Sequence, residues 1–334
     1  MKKRSPRSNS KRGAALLLAL WALFLLSAMV IAWALNINSH LAVSANANRV
    51  LSAEAMASSG AEVALAREIT PSSSNLHRKI GNGDSYDVQM TGECGRLNLN
   101  FLTQGEDPNK VQILRQYLIL KGVDLNEQDL MIDSLLDWVS QNRGLQHLNA
   151  CPETDDYHPP HQPLGSVDEL KKVCGWADFT SKPGWDGDFT VAQGCGAIDV
   201  AYASRDVLRA LLAAFGGAGD DRVNAFLQLR QGPDGIDGTA DDGIIDPNAV
   251  LPMLGVNSTQ IQAAGNQASI QSLILPYKGS NVFRVVSVGK SGDVTRSVQM
   301  IVQKPMVMQS VGTGVAAAAT LAGNRPTIFS WKEL

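Results

Sequence analysis

The chain has 334 residues, 44% of them apolar and 18% charged, with a formal net charge of −3. Those fractions exclude a mainly disordered chain, the length admits two compact domains or one with a large insertion, and the near-neutral total gives no footing for a nucleic-acid partner. The total conceals an asymmetry: residues 1–13 hold six of the 29 Lys and Arg and no acid, which leaves 23 bases against 32 acids, a net of −9, on the rest.

Residues 14–35 are apolar throughout, interrupted only by Ser27. As a helix they span roughly 33 Å at 1.5 Å per residue, the thickness of a bilayer core. In lipid the backbone must satisfy its own hydrogen bonds, so this segment is expected to be helical. The positive-inside rule keeps the cationic stub in the cytoplasm and sends the rest of the chain across the membrane. A cleaved secretory signal is the alternative. Its apolar region runs only about 7–15 residues and ends at a small-x-small site, so the length favours a retained single-pass anchor. Residues 41–69 contain no Pro and one Gly, Gly60. Val50, Leu51, Ala55, Met56, Val63, Leu65 and Ala66 recur at helical spacing, with Arg49, Glu54, Glu62 and Arg67 on the other face. Pro71 and the three serines after it end the pattern. One helix is expected over about 14–69, within an N-terminal unit of residues 14–70.

A basic leader ending Lys11-Arg12-Gly13, directly before an apolar helix at Ala14, resembles the type IV prepilins and the pseudopilins of type II secretion. The resemblance implies that residues 1–13 are a leader, cut between Gly13 and Ala14 by a prepilin peptidase of the inner membrane, and that Ala14 is then methylated. Residue 18 departs from the family pattern: it is Leu where the family usually has Glu. That Glu is thought to pair with the N-terminal ammonium of a neighbouring subunit. A charge in lipid is tolerated only when paired, so a subunit with no neighbour above it is better served by an apolar side chain. Absence of this Glu is the habit of the K-type minor pseudopilins.

Further along, residues 84–89 read as a strand, and residues 281–288 and 293–303 alternate and are rich in β-branched side chains, with Gly289-Lys290-Ser291-Gly292 as the hairpin loop between them. These strands predict an antiparallel sheet, built from 82–96 plus 278–334, on the second half of the long helix. Roughly 190 residues separate the first strand from the others, which marks 97–277 as an inserted domain. Helical periodicity covers 110–121, 128–141, 167–174 and 204–214, with shorter stretches at 224–229 and 247–254. Ser166 stands as an N-cap with Glu169 at the third helical position. Cys94-Gly95-Arg96-Leu97-Asn98-Leu99 aligns with Cys195-Gly196-Ala197-Ile198-Asp199-Val200, which suggests two similar helical subdomains. The expected fold class is α+β: a long N-terminal transmembrane and amphipathic helix on a small antiparallel sheet, pilin-like, with a large, mainly α-helical domain inserted between strands.

Residues 95–100, Leu136-Asp137-Trp138, residues 153–157, 163–170 and 196–212, and the ending 328–333 resemble successive motifs of K-type pseudopilins in order, over nearly the whole chain. The resemblance implies a minor pseudopilin at the tip of the type II secretion pseudopilus. There it would join other minor pseudopilins and start the filament that exports folded proteins across the outer membrane. The alternatives are a minor pilin of a type IV pilus and, from another class, a membrane-anchored periplasmic enzyme or binding protein.

All four cysteines lie beyond the membrane segment. In an oxidising periplasm they form disulfides, and four cysteines allow three pairings. The repeat places Cys94 and Cys195 at equivalent points and so favours Cys94–Cys195 with Cys151–Cys174. A zinc site fits poorly, because no CxxC occurs and Pro159 and Pro160 keep His158 and His161 in what reads as a surface loop. Residues 233–246 gather Asp234, Asp237, Asp241, Asp242 and Asp246 among three glycines. Calcium takes several oxygen ligands from such loops, although no Glu stands at the twelfth position, and a solvated acidic loop is the competing reading. The K-type resemblance implies calcium there as a structural ion; Glu153, Asp155 and Asp156 form a second set. No enzyme is expected, and no catalytic or cofactor-binding residues are assigned. Val288-Gly289-Lys290-Ser291 lacks the earlier Gly of a phosphate loop, and no G-x-S-x-G occurs. Trp138, Trp176 and Trp185 read as core or subunit-contact residues.

Overall fold

The computed structural model describes residues 10–81, 83–142, 144, 146–215, 219–237, 242–243, 245–246, 249–256, 272–275, 278–305 and 325–334. Helix α1, Ser10–Leu65, is unbroken over 56 residues, about 84 Å at 1.5 Å per residue. It ends short of the residue 69 that Pro71 suggested. Lys304 Nζ donates to the carbonyl oxygens of Ala64, Ala66 and Ile69 at 3.1, 2.5 and 2.6 Å. A cation that gathers the last carbonyls satisfies acceptors that another helical turn would otherwise have served.

After α1 come β1 (His77–Ile80), β2 (Asp84–Gly92), β3 (Leu97–Asn98), α2 (Leu99–Thr103), α3 (Pro108–Leu120), α4 (Leu125–Val139), α5 (Ala177–Thr180), β4 (Phe189–Thr190), α6 (Arg205–Ala214), α7 (Asp220–Gln231), α8 (Val250–Met253), β5 (Val282–Ser291), β6 (Val294–Gln303) and β7 (Thr327–Glu333). Strands β1, β2, β5, β6 and β7 form an antiparallel sheet in that order. The helical insert leaves the sheet after β2 and returns to it at β5, so neighbouring strands are distant in the chain. β1 was not foreseen: His-Arg-Lys-Ile has no apolar alternation, and all four residues are exposed. It is held by its register with β2, from His77 opposite Asp87 to Ile80 opposite Asp84.

The expected four-residue hairpin loop is also corrected. β5 continues to Ser291, which faces Val294, and the turn is Gly292-Asp293 with Gly292 at φ +60°. A two-residue turn with positive φ matches the twist of the flanking strands. Gly289 is therefore a strand residue, and α1 explains it. A Cβ there would stand 2.1 Å from the Ala53 carbonyl oxygen and 2.2 Å from the Ala57 nitrogen. Gly60 answers from the helix side, where a Cβ would meet Ser287 Oγ at 2.4 Å. Along the same stretch of helix, Ala57, Ala61 and Ala64 are fully buried in one cluster with Val88, Val285 and Met300. Small residues thus let helix and sheet backbones approach closely.

The insert has its own core, in which Leu114, Tyr117, Leu135, Trp176, Phe189 and Leu208 are buried together. Residues 167–174 do not form the expected α-helix: Val167–Lys172 is a 3-10 turn. Ser166 Oγ accepts the Asp168 N–H, and Glu169 Oε1 accepts the Gly165 N–H. The buried Val173 that follows is extended, which stops the turn from lengthening. The stretch 224–229 belongs to the longer α7, and 247–254 shortens to α8.

Candidate assembly surface

Helix α1 divides by environment. From Leu16 to Leu35 its large apolar side chains project outward, with Leu18 72% exposed, whereas Ala53, Ala57, Ala61 and Ala64 are wholly buried. Leaving a Leu or Phe in water rather than burying it costs about 1.5–3 kcal/mol. A run of them requires lipid or other helices. The helix is long and apolar enough to cross a membrane. Gly13 and Ala14 lie near its start, within the helix.

The sheet and the insert are joined around a buried carboxylate that the sequence did not single out. Glu93 follows β2 and is fully buried. Arg284 of β5 donates to it through two nitrogens, each at 2.8 Å. Arg96 adds a 3.2 Å bond, and the Thr190 hydroxyl a 2.5 Å bond from β4. Charge is affordable there because it is paired and its lone pairs are occupied. The arrangement fixes where the insert leaves the sheet.

The internal repeat corresponds to repeated geometry. In the first copy the Leu97 N–H donates to Asp188 O at 2.8 Å within the parallel β3–β4 pair. In the second the Ile198 N–H donates to Leu273 O at 2.9 Å in a parallel bridge to Ile274. The next residue in each copy ties down a loop. Asn98 Nδ2 donates to the carbonyls of Ala192 and Cys195 at 2.9 Å. Asp199 accepts the N–H groups of Ala201, Lys278 and Ser280. Burial raises the Asp199 pKa, while those donors and the charge of Arg230 act the other way. The copies also bind each other, through Asp199 N–H to Cys94 O at 2.8 Å and the Cys94–Cys195 disulfide. The remaining cysteines pair as Cys151–Cys174.

Of the acidic loop, Asp237 receives both Nε and Nη2 of the buried Arg230, at 2.8 and 2.9 Å. Asp234 accepts the Ile236 N–H. Asp242 and Asp246 each have an interaction, and Asp241 lies outside the described residues. Asp237 is therefore the counter-ion of an arginine that also holds the carbonyls of Val200 and Ala203. Among the described residues no three His, Cys, Asp or Glu side chains converge as a metal-binding group. In the second acidic set, Glu153 bonds His161 Nε2 at 2.9 Å. His161 is not a loose surface residue: its side chain is 7% exposed, and its Nδ1 faces the Ser140 carbonyl. Trp176 is fully buried, Trp138 is buried, and Trp185 is half-buried.

No protein-family model and no curated protein matches this sequence. Among solved structures, a chain of the GspK–GspI–GspJ complex from the type 2 secretion system of enterotoxigenic Escherichia coli matches with a TM-score of 0.54 at 15% identity. The match covers 89% of this chain and 99% of that one. At that identity the likeness is one of fold, and it spans helix, sheet and insert together.

Proposed function

We propose that this chain is a K-type minor pseudopilin of a type II secretion system, seated at the pseudopilus tip, where it starts the filament that exports folded proteins across the outer membrane. The observation that carries the proposal is the shared fold with a chain of a secretion-system complex over nearly the full length of both. The exposed apolar half of α1 supports an inner-membrane anchor bundled with other pseudopilin helices. Leu18 and the bulk of the insert support a terminal place, since neither suits a subunit repeated along a close-packed filament. The body of the chain then lies in the periplasm, where its two disulfides persist. The role is mechanical: the chain is a substrate of the prepilin peptidase and performs no reaction of its own.

Deleting the gene in its host tests this. Pseudopilus formation and export of folded proteins stop and return with the wild-type gene; undiminished export in the deletion strain would refute the role. Structural calcium belongs to the same proposal, supported by the density of Asp among glycines in 233–246. A chelator lowers the melting temperature if the ion is there, and an unchanged melt removes it from the account.

A further inference from the structure

The two edges of the sheet differ in chemistry. β1 presents His77, Arg78 and Lys79, the charged residues that commonly guard an exposed edge. β7 presents Ile328, Phe329, Ser330 and Trp331, with Ile328 45% and Trp331 40% exposed. Among the described residues β7 pairs with β6 alone. The Leu334 N–H donates to Ser297 O across that pairing. Because donors alternate along an antiparallel strand, the Trp331 and Glu333 N–H groups face away from β6.

A groove of about 860 Å³ borders the same strand along Ile328–Ser330. Phe101, Leu164, Val191, Gln193 and Ile301 help to line it, and among the described residues no charged side chain does. This is unusual ground in an insert where acids greatly outnumber bases. An uncharged groove rejects charged side chains through their desolvation cost and accepts apolar or small polar ones. An open edge supplies main-chain hydrogen bonds, and a flanking groove supplies side-chain selection; together these are the two parts of recognition by strand addition.

We propose that β7 and its groove receive an extended, uncharged segment of another subunit, which adds to the sheet as a sixth strand. This rests on the reading of the chain as a minor pseudopilin, because it takes the added strand from a partner in that assembly.

The test uses the full-length chain co-expressed with the other minor pseudopilins of its system and purified in detergent. Glu333→Pro removes one outward N–H and leaves the β6 pairing intact, as proline is tolerated at a free edge. Gln193→Trp fills the groove. Each is expected to weaken the complex about tenfold, the scale of one lost hydrogen bond or one blocked contact, with the melting temperature of the isolated chain unchanged. Hydrogen exchange at the Trp331 and Glu333 amides is expected to slow only in the complex. If wild type forms no complex, the pseudopilin reading itself fails. If wild type assembles and both variants assemble equally well, strand addition is overturned. The same follows if those amides are already protected in the isolated chain, since its own residues 306–324 would then occupy the edge.

Discussion

At the scale of single residues, the structure depends on a few buried charges. Glu93 is the clearest, because its removal strands Arg284, whose side chain is 14% exposed, beside Arg96. Breaking a buried pair from one side typically costs about 3–5 kcal/mol. Glu93→Ala should lose that much in a denaturant titration, and a loss below about 1 kcal/mol would show the junction to be held by other contacts. His147 is the pH-sensitive residue. Its Nδ1 meets Asp137 and its Nε2 lies 3.4 Å from Glu106. Burial opposes its charge, but Asp137 and Glu106 outweigh burial and raise its pKa above 6.5. The stabilisation is then complete below the unfolded value and is lost as pH rises through the higher folded one. Unfolding midpoints measured from pH 5 to 9 should fall across that window in wild type and stay flatter in His147→Gln; an identical slope in both would clear His147 of the effect. None of this was legible in the sequence. Glu93, Lys304 and Arg284 are single charges whose partners lie far along the chain, and no local spacing announces such pairs. The cysteines were legible because a local repeat marked two of them as equivalent.

Among elements, α1 was the most legible and its end the least. Composition alone sets the apolar half, and helical spacing sets the amphipathic half, since both are properties of neighbouring residues. The terminus is decided by Lys304, which arrives from the far end of β6. Likewise β5 and β6 announced themselves by alternation, whereas β1 exists only because β2 offers it an edge. Gly289 shows how a loop-like tripeptide can hide a strand, since its reason is the helix crossing above it. Gly289→Ala places a methyl against the backbone of Ala53 and Ala57. Overpacking of this kind costs about 1–3 kcal/mol, so the variant should unfold at lower denaturant than wild type. Equal midpoints would mean that helix and sheet are not in such close contact.

Across the whole molecule, the order of events along the chain is long apolar helix, small sheet, large helical insert, return to the sheet. The Cys94–Cys195 bridge ties the start of the insert to its middle, with a separation of 101 residues against 23 for Cys151–Cys174. In the chain-entropy view the longer loop gains more from its bridge, roughly 4–5 against about 3 kcal/mol. Replacing Cys94 and Cys195 together by Ala should therefore lower the melting temperature more than replacing Cys151 and Cys174; the reverse order would show that local strain or packing outweighs loop entropy. The fold class and the insert's place were readable from strand-like segments separated by a long helical stretch. The joint that makes them one body was not. The central claim is that α1 is a processed pilin-type anchor, and intact-mass and N-terminal peptide spectrometry of the chain from its native membrane tests it most directly. The account predicts a mature chain beginning at a methylated Ala14, with the apolar half of α1 retained; an intact Met1, or a terminus near residue 35, would contradict it.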